Sequence, residues 1–229
     1  MDLKEKLISS FWGLDNGIEV DDYINDMRGD AIKIFEASGF PSKKQEAWKY
    51  TSLNTLVKRD YALESPSETS IDFNLVKKYF LHDLDSYAIV FIDGKYSAHL
   101  SKTTHDGMDI CLLSAALTKP KFKAVIENYF NKAASNDSLA SLNTAFASEG
   151  AFVHIPKHKA VEKPIQIIHF STGSNAAMLL QPRNLIIADE NAHVQIIERH
   201  QSFTNHPVFT NSVTEIFGDK RSVIDYYKV

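Results

Sequence analysis

The chain has a single cysteine, Cys111, among its 229 residues. One thiol excludes an intrachain disulfide and fits a reducing cytosol, so a cytoplasmic location is expected. It also rules out the four thiolates of an ordinary iron–sulfur centre built by this chain alone. Basic residues are not in excess: the net charge is −4, and neither a nucleic-acid nor a membrane-surface partner is expected. No apolar run is long enough to span a bilayer, and the opening "MDLKEKLISSFW" lacks the h-region of a signal peptide. The phosphate loop G-x-x-x-x-G-K-[ST] is missing, and "SGFPSKK" lacks its second glycine. Neither G-x-G-x-x-G nor G-x-S-x-G occurs. The residues offer no self-contained active site, and a non-enzymatic role is expected.

What is present suffices for a packed interior: 44% of residues are hydrophobic and 24% charged, which fits one large or two small globular domains. Residues 1–148 read as a mixed, mostly helical domain. Leu3, Leu7, Ile8 and Phe11 recur at helical spacing. So do Tyr23, Met27, Ala31, Ile34 and Phe35, a run that stops at Gly39 with Pro41 beyond. Ser42 followed by Gln45 has the form of a capping box. After a polar stretch from Glu64 to Ser70, "DFNLVKKYFL" reads as a short helix. Tyr87–Ile92 is a β-rich run closed by Asp93-Gly94, with Tyr96–Leu100 as the returning strand of a hairpin. Pro120 opens a further helix with a stripe of Phe122, Val125, Ile126, Tyr129 and Phe130. Another helix follows from about Ser138 to Ala147.

From residue 149 to 229 the pattern changes to short β-branched runs: "AFVHIP", "KPIQIIHF", "RNLIIAD", "HVQIIERH", "SVTEIF" and "SVIDYYKV". "RNLIIADENAHVQIIERH" and "TEIFGDKRSVIDYYKV" share a strand–acidic turn–strand order at an offset of roughly 29 positions, within the range of solenoid repeats. A β-sandwich has similar strand spacing, and periodicity alone leaves both open.

Nine histidines invite a metal hypothesis. His154 and His158 are separated by Pro156 in strand-and-turn sequence and share no helical face. His193 and His200, seven apart on one strand, point to opposite faces. His169, His105, His99, His82 and His206 stand alone. Scattered histidines are ordinarily solvated or hydrogen-bonded, and no metal site is expected. Glu198 and His200 lie on one face of a strand and have the makings of an acid–base couple, against the plainer reading of a half-buried polar face. Cys111, amid "ICLLSAAL", reads as a small packed hydrophobe.

One stretch remains: "GFPSKKQEAWKYTSL", with a Gly-x-Pro, Glu46 two before Trp48, and then Lys49-Tyr50-Thr51. It resembles the N-terminal signature of SufD in the SufB/SufD family of iron–sulfur cluster assembly scaffolds. "FIDGKYSAHLS", "LNTAFASEGAFVHIPKHKAVEKPIQIIHF", "PRNLIIADENAHVQIIERH" and "NSVTEIFGDKRSVIDYYKV" resemble the same family in the same order. The last three are also similar to SufB, and the Trp48 motif favours SufD. The resemblance implies an α+β fold: a helical region followed by the first coils of a right-handed parallel β-helix. It implies a non-catalytic scaffold that partners SufB and the ATPase SufC, with the cluster assembled transiently by the whole complex and no cofactor held by this chain alone. The family's chains continue well beyond "DYYKV", so its later coils, SufC-binding helices and known cluster-site residues have no counterpart here, and no such site is assigned. A fragment is the expectation, with self-association through its last strand. Trp48 and Tyr50 read as packing anchors or, in a second reading, as partner anchors. The rival classes are a carbohydrate-active β-helix enzyme, for which Asp189, Glu190 and Asp219 are the only acidic candidates, and a pure oligomerisation module.

Overall fold

A computed structural model describes residues 2–13, 21–63, 70–81, 85–104, 107–133, 137–173 and 176–229. Most of the polar stretch from Glu64, together with His82 and His105, lies outside the described residues. The chain is mixed α+β, with helices before a set of mainly parallel sheets.

Among the described residues, seven α-helices precede residue 149: α1 (Leu3–Gly13), α2 (Asp22–Ser38), α3 (Asn54–Val57), α4 (Phe73–Val76), α5 (Leu113–Thr118), α6 (Lys123–Tyr129) and α7 (Ser138–Phe146). Their ends follow local chemistry. The Asp21 carboxylate accepts from the Tyr23 amide at the start of α2, and Asp137 accepts from the Ala140 amide at the start of α7. Gly39, at φ 64°, ends α2 and donates its N–H to the Phe35 carbonyl. Pro120 opens a 3-10 turn that runs into α6.

Two expectations need correction here. The face that α2 buries is Ile24, Arg28, Ala31, Ile32 and Phe35, while Ile34 is exposed. The period was right, but the stripe is rotated, because the Arg28 guanidinium turns inward to donate to the Ala145 carbonyl of α7 at 2.9 Å. The capping-box pattern at Ser42 and Gln45 produces only a three-residue 3-10 turn, Glu46–Trp48, with no side-chain cap, and the Ser42 hydroxyl accepts from the Lys44 amide instead.

The strands are β1 (Tyr87–Ile92), β2 (Lys95–Tyr96), β3 (Asp109–Leu112), β4 (Ala151–Ile155), β5 (Ile165–Ser171), β6 (Met178–Leu180), β7 (Arg183–Ala188), β8 (His193–Ser202), β9 (Val208–Thr210), β10 (Val213–Gly218) and β11 (Val223–Lys228). β1 and β2 form the expected Asp93-Gly94 hairpin, both turn residues having positive φ, although the return strand is only two residues long. From β5 onward the chain visits three sheets in rotation. They are β11-β8-β5-β1-β2, β6-β9 and β10-β7-β4-β3. Consecutive visits pair in parallel: Ile165 lies beside Ile196, Met178 beside Val208, Arg183 beside Val213 and Val194 beside Ile224. One turn of the chain is thus 30 or 31 residues rather than 29. β7 and β8 flank a tight turn without pairing to each other, which removes the hairpin expected of a sandwich. β1 and β3, from the first segment, complete two of these sheets, pairing with β5 and β4.

Where both faces of a sheet are covered, a strand is buried along its whole length, as β7 is. Ile89, Val153, Ile167, Ile186, Val194 and Ile196 fill the space between the two large sheets. On the outer side, Phe152, Leu185 and Ile187 meet Phe122, Ile126 and Phe130 of the α5–α6 region. Gly150 is required where α7 passes into β4: its φ is +149°, and a Cβ there would stand 1.8 Å from the Arg183 carbonyl oxygen. The turns stack as well. His158, Asn191 and Arg221, all at positive φ, occupy successive corners, and Arg221 Nε donates to Asn191 Oδ1 at 2.7 Å.

Candidate functional site

Inward-facing positions on the parallel strands change character along the stack. Ile167 of β5 lies beside Glu198 of β8, and His169 lies beside His200. From the facing sheet, Asn184 and Thr214 reach into the same space. The result is a polar cluster in the coil interior, centred on a carboxylate with no solvent exposure.

Glu198 Oε2 accepts from Thr214 Oγ1 and Tyr226 Oη, each at 2.6 Å, and from Asn184 Nδ2 at 3.2 Å. Oε1 lies 2.7 Å from His200 Nε2 and accepts from Lys228 Nζ at 2.8 Å and Ser212 Oγ at 3.3 Å. Burial alone would raise this carboxyl's pKa, but the hydrogen bonds from His200, Lys228, Thr214 and Tyr226 together hold it well below the usual carboxylate range. Burial raises Tyr226, and its bond to the carboxylate adds to the rise.

His169 completes the group. Its ring is sandwiched between Phe91, with centroids 4.9 Å apart, and His200, at 4.6 Å, both nearly parallel. Its Nε2 is buried and has no hydrogen-bond partner among the described residues. Burial, aided by repulsion from His200, drives its pKa down to about 3, so the ring is neutral. His169, Glu198 and His200 each bring one potential ligand atom, all within 4.8 Å of one another. The expectation that His169 stands alone is therefore corrected, as is the half-buried polar face expected at Glu198. One turn of the coil separates His169 from His200 in sequence, and parallel stacking cancels that separation.

The remaining candidates are placed apart from this cluster. His193 points outward, as its odd spacing from His200 requires, with Nε2 3.6 Å from Asp225. His154 lies 3.2 Å from Asp189, and His158 shares a hydrogen bond with Asn191. Glu190 pairs with Arg221, and Asp219 accepts from the Lys220 amide, so the acids of the turns serve the turns. Cys111 lies in β3, and burial pushes its thiol up to about 11, far from a reactive thiolate. Tyr50 is 89% exposed, with the Lys49 ammonium 5.0 Å from its ring centroid, so the ring is not packed into a core as a fold anchor would be; Trp48 is half-buried.

A second charged cluster lies on the outer side of the same coil. Arg183 Nη2 donates to Glu215 Oε2 at 2.6 Å, with both side chains buried. Nη1 donates to Thr144 Oγ1 and Asn143 Oδ1 of α7, and Glu215 accepts from the amides of Asn131 and Ala133. This cluster fastens the helical region to the sheets.

Residues 2–167 match the SufBD protein N-terminal region, and residues 169–229 match the SufBD core domain of SUF-system FeS cluster assembly. The chain belongs to the SufBD family. Among its relatives is an iron–sulfur cluster assembly SufBD family protein of Synechocystis, 26% identical over 211 residues, which are 88% of this chain and 46% of the relative. The iron–sulfur cluster assembly protein SufD of Bacillus subtilis is 30% identical over 105 residues, 43% of this chain and 23% of that protein. A SufBD family protein of Staphylococcus haemolyticus is 33% identical over 98 residues, 41% of this chain and 20% of its own length. The chain thus spans about half or less of the curated relatives it matches. Among the described residues of this SufBD chain, no helix is long and apolar enough to cross a membrane. The Glu198 cluster lies in the part that matches the core domain, with only His169 at its first residue.

Proposed function

We propose that this chain acts as a SufD-type, non-catalytic scaffold subunit of cytoplasmic iron–sulfur cluster assembly, paired with a SufB-type subunit and a SufC-type ATPase. The observation that carries the reading is that two SufBD matches run end to end over a chain whose strands wind in parallel around three sheets. The relative from Bacillus subtilis, named SufD, supports that branch, as does the Trp48-Lys49-Tyr50-Thr51 signature. On this reading the winding is a right-handed parallel β-helix, and the nascent cluster is cargo shared by the complex rather than a resident group of this subunit. The exposed Tyr50 ring fits a contact with another subunit better than a fold anchor.

The test is co-purification of the full-length protein with SufB and SufC homologues from the same organism. A stable three-component species is expected. A SufB–SufC complex that forms and excludes this protein would refute the reading. Anaerobic reconstitution of the 229-residue chain is expected to leave it without a stoichiometric iron–sulfur cluster, because one thiol cannot enclose it.

A further inference from the structure

We infer that His169, Glu198 and His200 form a binding site for one borderline divalent cation of the Zn2+ or Fe2+ class, with Lys228 as the competing occupant. Two imidazoles and one carboxylate are a donor set suited to such ions, and three protein ligands leave an open position. The strongest sign is the orphaned Nε2 of His169. A buried ring nitrogen without a partner is costly, and in the tautomer with its proton on Nδ1 the Nε2 lone pair is free for a cation.

The second sign is what already sits on Glu198. The Lys228 ammonium, 2.8 Å from Oε1, neutralises the buried carboxylate. Unlike Arg183 in the outer cluster, the Lys228 side chain is half-exposed, so its head can swing into water and yield the place to a metal ion. The ligand atoms lie within 4.8 Å of one another, whereas a tetrahedral site with bonds of about 2.1 Å brings its donors to about 3.4 Å. Closing the site therefore needs a movement of about 1 Å, in keeping with those bond lengths. His200, the most exposed of the three, supplies it by tilting out of its stack on His169. Thr214, Tyr226 and Asn184 keep hold of Oε2, so the carboxylate stays oriented and offers Oε1.

The experiment is titration of the purified 229-residue chain with Co2+, read by visible d–d absorption, followed by displacement with Zn2+. One equivalent with ligand-field bands is expected. His169→Phe, which preserves a flat ring on Phe91, and His200→Phe should each weaken binding by at least about tenfold, the scale on which even supporting residues of a metal site act. Lys228→Met should tighten it, because the competitor is gone. His193→Ala, at the outward face, should leave it unchanged. Thermal unfolding of each variant confirms that it is folded. Absence of saturable binding in both the wild type and Lys228→Met would overturn the inference. So would binding that survives in both phenylalanine variants or disappears in His193→Ala. None of these outcomes depends on the scaffold role, which stands or falls by complex formation.

Discussion

Glu215 of β10 and Glu198 of β8 are both buried carboxylates, one in each of the two large sheets, yet the chain treats them in opposite ways. Glu215 faces outward to the helices and meets a guanidinium that is itself fully buried. Its oxygens are further occupied by two backbone amides, which closes off the carboxylate, while Arg183 Nε is buried without a hydrogen-bond partner among the described residues. Glu198 faces inward and meets an imidazole and a half-exposed ammonium, beside an imidazole whose Nε2 has no hydrogen-bond partner among the described residues. The first arrangement can only hold; the second can exchange its cation. The contrast arises from strand parity, since positions of opposite parity on the parallel strands face either the helices or the coil interior.

The largest expected effect lies on the closed pair. Glu215→Gln leaves the Arg183 charge buried without its counter-ion and should cost about 3–5 kcal/mol, read by urea unfolding. A cost under 1 kcal/mol would show that Arg183 reaches water and that the cluster is not closed. Glu198→Gln should cost about 2 kcal/mol at pH 7, because it weakens several hydrogen bonds but lets Lys228 move to solvent. The sign of its pH dependence follows from the lowered pKa. The carboxylate's contribution is present above the ordinary value of 4.5 and is lost as pH falls through the folded-state value. The gap between wild type and Glu198→Gln should therefore narrow in acid; a gap that widens would contradict a stabilised carboxylate.

Glu149 offers a third case. Its Oε2 is buried without a hydrogen-bond partner among the described residues, and burial raises its pKa to about 7, against a partial opposing pull from Lys95. A folded-state pKa above the unfolded one favours the protonated fold, so stability is full below about pH 4.5 and falls as pH rises through 7. Glu149→Gln should be neutral at pH 4 and stabilising by about 1–2 kcal/mol at pH 8.5, a figure reduced for its partial exposure. Equal effects at both pH values would show that the carboxyl is solvated. The smallest effect belongs to the surface. Tyr50→Ala should change stability by less than about 0.5 kcal/mol while weakening capture of partner subunits in a pull-down; loss of several kcal/mol would restore the ring as a packing anchor.

Much of this was legible in the residues. The switch to β-rich runs, the coil period to within two residues, the Asp93-Gly94 hairpin and the opposite facing of His193 and His200 follow from spacing and backbone preference, which act locally. So do the Gly39 stop and the Pro120 start. β6 and β9 escaped notice because three residues are too few to show a period, though they form the third side of the coil. The buried face of α2 could not be read from apolar positions alone, since Arg28 enters the interior only because the Ala145 carbonyl is there to receive it. Above all, nothing along the chain links His169 to Glu198 and His200. Parallel stacking with a one-turn offset places them side by side, and the register that does so is set by the packing of Ile167, Ile186 and Ile196 between the sheets rather than by any local signal. Local chemistry determined which elements form and where they stop. Only tertiary register decided which of their side chains meet, because the contacts that fix it are made between residues one full turn of the coil apart.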